Sequence, residues 1–314
     1  MMQLDYARAR PRGARRGSAV QRSTRWWAPG FVAPSVLLVA VLLYLPFLWS
    51  LITSFTDSDG SQSDWVGLAN YGRLFSDPAL LTAIRNTLFW VIGTVVLPVG
   101  LGLLIAMLTY NIKGGQYFRL PFLLPYALSG TGTAVVWGFV LMNGGAASSF
   151  LEALHAPGAD SLWLQSSPLN TIVLILASTW QMIGVNVLIF VVGLQAIPTE
   201  PLEAATLDGA NAWQRFRLVI WPLLRPLTAV AVGLALVAGL KTFDIVWIVT
   251  QGGPGRTSET LAVTMYRDSF VAGDYGYGSA VAVLLTLVTG IASVLYLRQQ
   301  LSPKRGFDVD GGGK

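Results

Sequence analysis

Residues 86–112 read NTLFWVIGTVVLPVGLGLLIAMLTYNI and contain no charged side chain. A bilayer core about 30 Å thick is crossed by a helix of about 20 mostly apolar residues, so this segment is long enough to span it. A membrane-crossing strand needs only about 10 residues and alternates strictly between apolar and polar side chains, a pattern that these residues do not have. The segment therefore predicts a transmembrane α-helix.

Five more hydrophobic stretches accompany this segment along the chain. Four of them carry no charge, and the fifth is interrupted only by Lys241 and Asp244. They cover residues 26–56, 120–151, 161–199, 227–250 and 275–297. We therefore predict an all-α membrane protein with six transmembrane helices in one domain, residues 29–298. Residues 1–28 and 299–314 are predicted to be tails.

The overall composition excludes most soluble functions. Of the 314 residues, 53% are hydrophobic and 12% are charged, and the mean hydropathy is +0.57, whereas soluble domains have about 25% charged residues. Cysteine is absent and histidine occurs once, as His155, which excludes a disulfide framework, a thiolate metal site and a cysteine nucleophile. No Gly-x-x-x-x-Gly-Lys-Ser/Thr phosphate loop occurs, so we expect this chain to bind no ATP and no other cofactor.

Basic residues are distributed unevenly between the two sides of the predicted membrane domain. Seven arginines lie in the tail 1–28, and nine further Lys or Arg residues follow spans two, four and six. The opposite side has only Arg73, Arg85, Arg256 and Arg267. Because Lys and Arg favour cytoplasmic loops, both termini are predicted to be cytoplasmic. The arginine-rich tail is interpreted as a topology determinant that contacts anionic membrane lipid. Because the net charge of +5 is explained by this distribution, no nucleic acid is expected as a partner. A specific partner site in the tail is the alternative.

Two segments outside the spans contain helix-start signals. In the external segment 57–85, Asp77 is able to cap a helix and Pro78 suits its first position. We expect a short interfacial helix there and interpret the segment as a packing lid. In the cytoplasmic loop 198–226, Pro201 suits the first position of another helix, with the acidic Glu203 in its first turn.

The same loop contains a stop signal and a second start. Gly209 is able to stop the first helix in the left-handed conformation, and Asn211 is able to cap a second helix with Gln214 three residues later. The pattern predicts a short helix, a glycine elbow and a second helix outside the membrane. Docking into a groove of another protein and a purely structural turn both fit this pattern.

Three segments together resemble one family of membrane proteins. The loop motif consists of Glu203, Ala204, Ala205, Asp208, Gly209 and Ala210, followed by Ile220 and Pro222. It is similar to the cytoplasmic coupling motif of ABC importer permeases. Residues 70–87 are similar to a segment of sugar permeases, and residues 243–261, with Gly-Gly-Pro at 252–254, resemble an external loop of the maltose and glycerol-phosphate permeases. The resemblance covers residues 30–300 and points to the carbohydrate uptake branch.

The resemblance implies the fold of a type I ABC importer permease in the bacterial cytoplasmic membrane. The implied partners are a second homologous permease subunit, a dimer of ABC ATPase subunits, an extracytoplasmic solute-binding protein or lipoprotein, and a carbohydrate. ATP and Mg²⁺ would bind to the partner ATPase, so this chain would be a transport subunit and not an enzyme. The residues implied to couple it to the ATPase are Glu203, Ala204, Ala205, Asp208, Gly209 and Ala210.

Residues within spans four and five are the candidates for a substrate pathway. Family members contact sugar from the segments that align here, which implies this role for Trp180, Gln181, Gly184, Asn186, Gly239, Lys241, Thr242 and Asp244. A neutral sugar needs amide, hydroxyl and aromatic partners more than it needs charge. We expect Gln181, Asn186, Thr242 and Asp244 to line one pocket that faces the second permease, because polar groups that face lipid are unfavourable.

Several alternatives remain open at this point. Lys241 and Asp244 are spaced i, i+3 and are able to form a structural ion pair on one helix face. Gln181 and Asn186 equally suit hydrogen bonds between helices. For the whole chain, the alternatives are an ABC permease for an amino acid or a peptide, and a membrane-embedded enzyme that uses Lys241 and Asp244.

Overall fold

The fold consists almost entirely of helices. The computed structural model describes residues 30–60 and 63–301. The helices in these ranges are α1 Gly30–Thr53, α2 Ala69–Ser76, α3 Pro78–Tyr110, α4 Gly115–Leu123, α5 Gly130–Leu141, α6 Ala146–Ala153, α7 Leu169–Gln195, α8 Thr199–Leu207, α9 Ala212–Arg215, α10 Trp221–Leu240, α11 Asp244–Thr250, α12 Leu261–Tyr266 and α13 Tyr275–Leu301. The predicted tail 1–28 and residues 302–314 lie outside the described residues.

The number of membrane crossings agrees with the sequence. Five stretches of the described residues are long and apolar enough to span a bilayer, and one bent pair of helices makes a sixth. The prediction of six spans is thus confirmed. The side of the membrane on which the termini lie stays a prediction.

The first span, α1, belongs to a unit of its own. Its residues Ala40–Tyr44 form a π-helical turn, in which the Leu45 N–H donates to the Ala40 carbonyl. Pro46 follows this turn and has no N–H to donate to Leu42, so the helix widens where one regular hydrogen bond is missing.

Helices α3 and α7 form the centre of the body that begins at Thr53, since they pack along each other at close range. A Cβ atom on Gly102 would lie 2.5 Å from the Cβ atom of Asn186, so only glycine allows the two backbones to approach this closely. Helix α10 also packs on α3, where the Thr94 hydroxyl donates to the Ala235 carbonyl at 3.1 Å. The largest fully buried side chains on these three helices are Trp90, Phe190, Leu80, Leu174, Leu194, Leu224 and Val187.

The third span is broken, although the sequence predicts one span over residues 120–151. Helix α4 passes into a 3₁₀ turn, Leu124–Ala127, and α5 then leaves at a bend of 101°. Pro125 supplies no N–H to continue α4, and Ser129 starts α5 afresh because its side chain accepts the Gly132 N–H at 3.0 Å. The structure therefore has a broken span where the sequence predicts one continuous helix.

The fifth span is also interrupted. Helix α10 ends at Leu240, Lys241 caps it, and α11 begins only at Asp244. The predicted placement of Lys241 and Asp244 on one helix face is therefore wrong. The break is stabilised from outside the helix, because the Thr260 hydroxyl donates to the Thr242 carbonyl at 2.7 Å.

The segment before α3 forms a small hairpin and a short helix, α2. Helix α2 ends where the predicted short helix was expected to begin, and the helix that starts at Pro78 is the second span itself. Strand β1 Thr56–Ser58 pairs antiparallel with β2 Ser63–Trp65, and α2 follows. Asp77 caps α3 by accepting the Ala79 N–H at 2.9 Å, and Pro78 occupies the first turn. The prediction of this helix start is confirmed.

Candidate coupling surface and substrate cavity

The predicted helix, elbow and second helix are present as one protruding structure, which we call the coupling knob, residues 199–215. Helix α8 begins at Thr199, so Pro201 is its third residue and not its first as the sequence predicts. Gly209 has φ +76° and stops the helix. The Gly209 N–H donates to Thr206 at 3.1 Å and the Ala210 N–H donates to Ala205 at 2.9 Å. These two bonds satisfy carbonyls that the helix end leaves free.

The second half of the coupling knob starts with a reciprocal cap. The Gln214 N–H donates to the Asn211 side chain at 2.9 Å, and the Asn211 N–H donates to the Gln214 side chain at 2.8 Å. Helix α9 then passes through a π-helical turn, Phe216–Ile220, directly into α10. One helical path therefore leads from the coupling knob to Leu240.

The coupling knob presents its surface to the surroundings. No residue of α8 is buried, and Leu207 is 89% exposed. Of the predicted coupling residues, Glu203, Ala204, Asp208 and Gly209 are exposed, and Ala205 and Ala210 are half-buried. Behind the knob lies a cavity of about 570 Å³ between α8 and the ends of α3 and α7. This arrangement is suited to insertion into a groove of another protein.

A second cavity lies where the breaks of the third and fifth spans meet. Its volume is about 180 Å³. The polar and charged side chains that line it belong to Thr133, Ser178, Gln181, Lys241, Thr242 and Asp244. Of the four residues that we expect in one pocket, the structure brings together Gln181, Thr242 and Asp244. Non-helical backbone at membrane depth occurs where it lines a cavity or is buried in protein, and both breaks fulfil this condition.

Two side chains fix the walls of this cavity. Gln181 donates from its amide to the Leu128 carbonyl at 2.7 Å, which satisfies a carbonyl freed by the break of the third span. The Thr242 hydroxyl donates back to the Ala238 carbonyl at 3.0 Å. Ser178 lies on α7 and Thr242 lies in the break between α10 and α11, and both line the same cavity. The polar part of the cavity wall consists of three hydroxyl groups, one amide and the two charged side chains of Lys241 and Asp244.

The other predicted pathway residues lie outside this cavity. Asn186 is buried and donates to the Met182 carbonyl at 2.9 Å, beside Gly102 of α3. A Cβ atom on Gly184 would meet the Phe122 carbonyl at 2.7 Å, and one on Gly239 would meet the Thr94 hydroxyl at 2.5 Å. Trp180 packs edge-on against Trp137. The expectation that Asn186 lines the shared pocket is therefore wrong, because close packing of α7 on α3 encloses its side chain.

Lys241 and Asp244 are both exposed toward the cavity. Among the described residues, neither has an ion-pair partner, so a structural pair between them is not formed. Thr133 was not among the predicted pathway residues. It is 1% exposed and lines the cavity with a hydroxyl that has no hydrogen-bond partner within the described part of the chain. The signal for it in the sequence is its position four residues after Ser129, which places it in the first turn of the half-helix α5.

The Gly-Gly-Pro segment forms a loop, residues 251–260, that side chains from two other helices anchor. The Asn86 amide on α3 donates to the Thr257 carbonyl at 2.7 Å and to the Glu259 carbonyl at 2.9 Å. The Asn170 amide at the start of α7 donates to the Thr257 hydroxyl at 3.1 Å. The loop therefore connects α11, which borders the cavity, to the N-terminal parts of α3 and α7.

Ion pairs connect the same loop to the end of α12, the helix that follows it. Glu259 is fully buried and pairs with Arg256 at 2.8 Å and with Arg267 at 2.5 Å. Arg256 also pairs with Asp268 at 3.4 Å. Burial raises the pKa of the Asp268 carboxyl above its ordinary value, although Arg256 acts in the opposite direction. Arg267 also donates to the Gln251 carbonyl, at the end of α11.

An all-α membrane protein with an exposed coupling knob and a partly polar cavity has the features of an integral-membrane transport subunit. A family model described as binding-protein-dependent transport system inner membrane component matches residues 14–306. The chain belongs to this family, and it is therefore an inner-membrane component of an ABC transporter and a multi-pass permease.

Curated relatives and a solved structure agree with this assignment. The chain is 31% identical over 278 residues to the probable starch degradation products transport system permease protein AmyD of Thermoanaerobacterium thermosulfurigenes, which covers 87% of this chain and 94% of the relative. It is 32% identical over 261 residues to the sn-glycerol-3-phosphate transport system permease protein UgpA of Agrobacterium fabrum, with 82% and 88% covered. A bacterial ABC transporter involved in the import of the polysaccharide alginate contains a chain of the same fold, with a TM-score of 0.78, 17% identity, and 90% and 97% covered.

Proposed function

We propose that this chain is one of two membrane-spanning permease subunits of an ABC importer for a carbohydrate. The observation that carries the proposal is the cavity at the two helix breaks, to which Thr133, Ser178, Gln181 and Thr242 contribute hydroxyl and amide groups. Such groups replace the water that a sugar loses when it leaves solution. The names of relatives, which include starch degradation products and glycerol phosphate, support this substrate class.

The cavity is small for a complete binding site. Its volume of about 180 Å³ lies below the roughly 300–1,000 Å³ of usual ligand pockets. We propose that a second homologous permease subunit supplies the remaining wall, and that an extracytoplasmic solute-binding protein delivers the sugar. A dimer of ABC ATPase subunits binds ATP and Mg²⁺, because this chain has no phosphate-loop motif.

The helical path from the coupling knob to the cavity suggests how ATP hydrolysis acts on the sugar. Residues 212–240 form one helical path of about 43 Å at 1.5 Å per residue. The coupling knob lies at one end and Lys241 lies at the other. Displacement of the knob by the ATPase would therefore move one wall of the cavity, as in a rigid-body switch between two packings.

Lys241 makes a sugar phosphate the second candidate. It is a cation without an ion-pair partner among the described residues, and a phosphate would supply the missing negative charge. Asp244 lines the same cavity and offsets that charge, so a neutral carbohydrate is favoured.

The test is ATP-dependent uptake by the complete transporter in proteoliposomes. The solutes are radiolabelled maltose and larger maltodextrins, glycerol 3-phosphate, and a dipeptide. Loss of one hydrogen bond to the sugar corresponds to about a tenfold lower uptake for Gln181→Ala and for Thr242→Ala. Thr286→Ala is the matched control, because Thr286 makes the same kind of bond, to the Ala282 carbonyl at 2.8 Å, on α13.

We expect Thr286→Ala to import at the wild-type rate and all variants to retain the ATPase subunits. Uptake of the dipeptide without uptake of any carbohydrate would contradict the proposal. Equal uptake by all three variants would place the sugar contacts elsewhere.

A further inference from the structure

Five aromatic side chains form a continuous row that begins at the cavity, and we call this row the aromatic ladder. Its members are Phe243, Trp247, Tyr266, Phe270 and Tyr275. The ring centroids of Phe243 and Trp247 are 6.0 Å apart, and those of Trp247 and Tyr266 are 4.9 Å apart. The row continues with 5.3 Å from Tyr266 to Phe270 and 6.2 Å from Phe270 to Tyr275. Phe243 itself lines the cavity.

The hydrogen bonds around the ladder place its two ends at different heights along α3, and the predicted orientation makes the end near Asp77 the outer one. At its lower end, the Thr260 hydroxyl donates to the Thr242 carbonyl, and the Leu261 N–H donates to Thr87 of α3 at 3.0 Å. At its upper end, the Tyr277 hydroxyl donates at 2.8 Å to Asp77, the cap at which α3 begins. The ten residues from Asp77 to Thr87 span about 15 Å of helix.

The ladder differs from the aromatic residues of the core in its exposure. Trp90 and Phe190 are fully buried, whereas no member of the ladder is buried and Phe270 is 64% exposed. Phe243 and Trp247 pack against a buried cluster that includes Trp90 and Val246. In contrast, packing within this chain leaves the rings of Phe270 and Tyr275 exposed. The continuity of the ladder with the cavity indicates a ligand that enters from the outer side.

The chemistry of the row suits a pyranose ring. The flat C–H face of a pyranose stacks on an aromatic face, while its hydroxyls need hydrogen-bond partners at the rim. Arg267 supplies such a partner, because its guanidinium lies 5.6 Å from the Trp247 ring centroid and remains partly exposed. Stacking lacks strict directionality. Neighbouring rings are therefore able to bind successive sugar units without fixing which unit lies on which ring.

We propose that the aromatic ladder is a row of stacking subsites that leads an oligosaccharide from the outer face to the cavity. The proposal rests on the proposed carbohydrate import and extends it, since it names a neutral oligosaccharide longer than the cavity as the substrate class. Phe270, Tyr266 and Tyr275 are the new contact residues.

The test compares Phe270→Leu with Phe270→Tyr in the complete transporter. Leucine keeps an apolar side chain without a ring, and tyrosine keeps the ring. Phe139→Leu is the matched control, because Phe139 on α5 is 67% exposed but does not belong to the ladder. The probes are radiolabelled glucose and the series from maltose to maltohexaose at limiting concentration, and co-purification of the second permease is measured in parallel.

We expect Phe270→Leu to lower uptake of the longest imported oligosaccharide roughly 2- to 12-fold, the effect of one aromatic contact. Uptake of the shortest imported sugar should fall less, and Phe270→Tyr and Phe139→Leu should match the wild type. Wild-type uptake by Phe270→Leu would contradict the proposal that the aromatic ladder binds sugar. A loss of the co-purified second permease in proportion to the loss of uptake would contradict it as well. Import of glucose or glycerol 3-phosphate without any oligosaccharide would contradict the aromatic ladder but not carbohydrate import. If the wild type imports no carbohydrate at all, both proposals are refuted.

Discussion

Gly252 and Gly255 lie in the same external loop and share the left-handed backbone, but their surroundings differ. Gly252 has φ +80° and Gly255 has φ +54°. A Cβ atom on Gly252 would collide with the Cγ atom of Glu259, whereas a Cβ atom on Gly255 would have no neighbour within 4 Å. Glu259 cannot move aside easily, because it is fully buried and paired with Arg256 and Arg267.

We therefore predict that Gly252→Ala is much less stable than Gly255→Ala. Both substitutions carry the conformational penalty of a left-handed non-glycine residue, about 1–2 kcal/mol. Gly252→Ala adds overpacking of about 1–3 kcal/mol. Thermal unfolding of the two purified variants in the same detergent measures the difference. Equal melting temperatures would mean that the Glu259 side chain relaxes freely.

At the scale of the element, the coupling knob depends on the elbow at Gly209. Proline at this position cannot adopt φ +76°, and it removes the N–H that bonds to Thr206. The combined penalty is about 3 kcal/mol or more, which exceeds what a short exposed helix is able to offset.

We predict that Gly209→Pro abolishes coupled uptake while the chain still inserts into the membrane. The readouts are sugar uptake and sugar-stimulated ATP hydrolysis in proteoliposomes. Gly144→Pro is the control, since Gly144 has φ +68°, has open space around it, and lies in the loop after α5. Full uptake by a well-expressed Gly209→Pro variant would show that the elbow has no coupling role.

The coupling knob could be predicted from sequence because its signals are local. Gly209, Asn211 and Gln214 lie within six residues, and their hydrogen bonds connect neighbours in the chain. The two helix breaks were missed because distant residues hold them. Gln181 satisfies the Leu128 carbonyl across 53 positions, and Thr260 satisfies the Thr242 carbonyl from the far side of a loop.

Hydrophobic segments of the sequence predict which residues lie in the membrane, but they do not predict such tertiary hydrogen bonds. The same limit applies to Asn186. Its polarity suggested a place in the cavity, whereas the approach of α3 at Gly102 encloses it. Thr242 and Asp244 do line the cavity, and they stand out in the sequence because the fifth span contains few other polar groups.

For the whole molecule, orientation in the membrane is the prediction that labelling tests most directly. The chain has no cysteine, so single cysteines are able to report on each side. Ser63→Cys lies on the exposed hairpin, and Gln116→Cys lies at the exposed start of α4. The excess of Lys and Arg predicts that Ser63 is external and Gln116 cytoplasmic.

A membrane-impermeant maleimide should therefore label Ser63→Cys in cells from which the outer layers have been removed and whose cytoplasmic membrane is intact. It should label Gln116→Cys only after permeabilisation, and the cysteine-free wild type provides the background. The reverse pattern would invert the whole topology and would place the coupling knob outside the cell.

The anchoring of the external loop by Asn86 sets a delay in the biogenesis of the protein. Asn86 and Thr257 are separated by 171 positions. At translation rates of about 5–20 residues per second, the Asn86 amide waits roughly 9–34 s for its acceptors to be synthesised. Asn86 lies eight residues, or about 12 Å, along α3 from Pro78. If α3 inserts before the loop is made, its amide lacks these acceptors until residues 257–259 have been synthesised, and an unmatched amide is costly in an apolar environment.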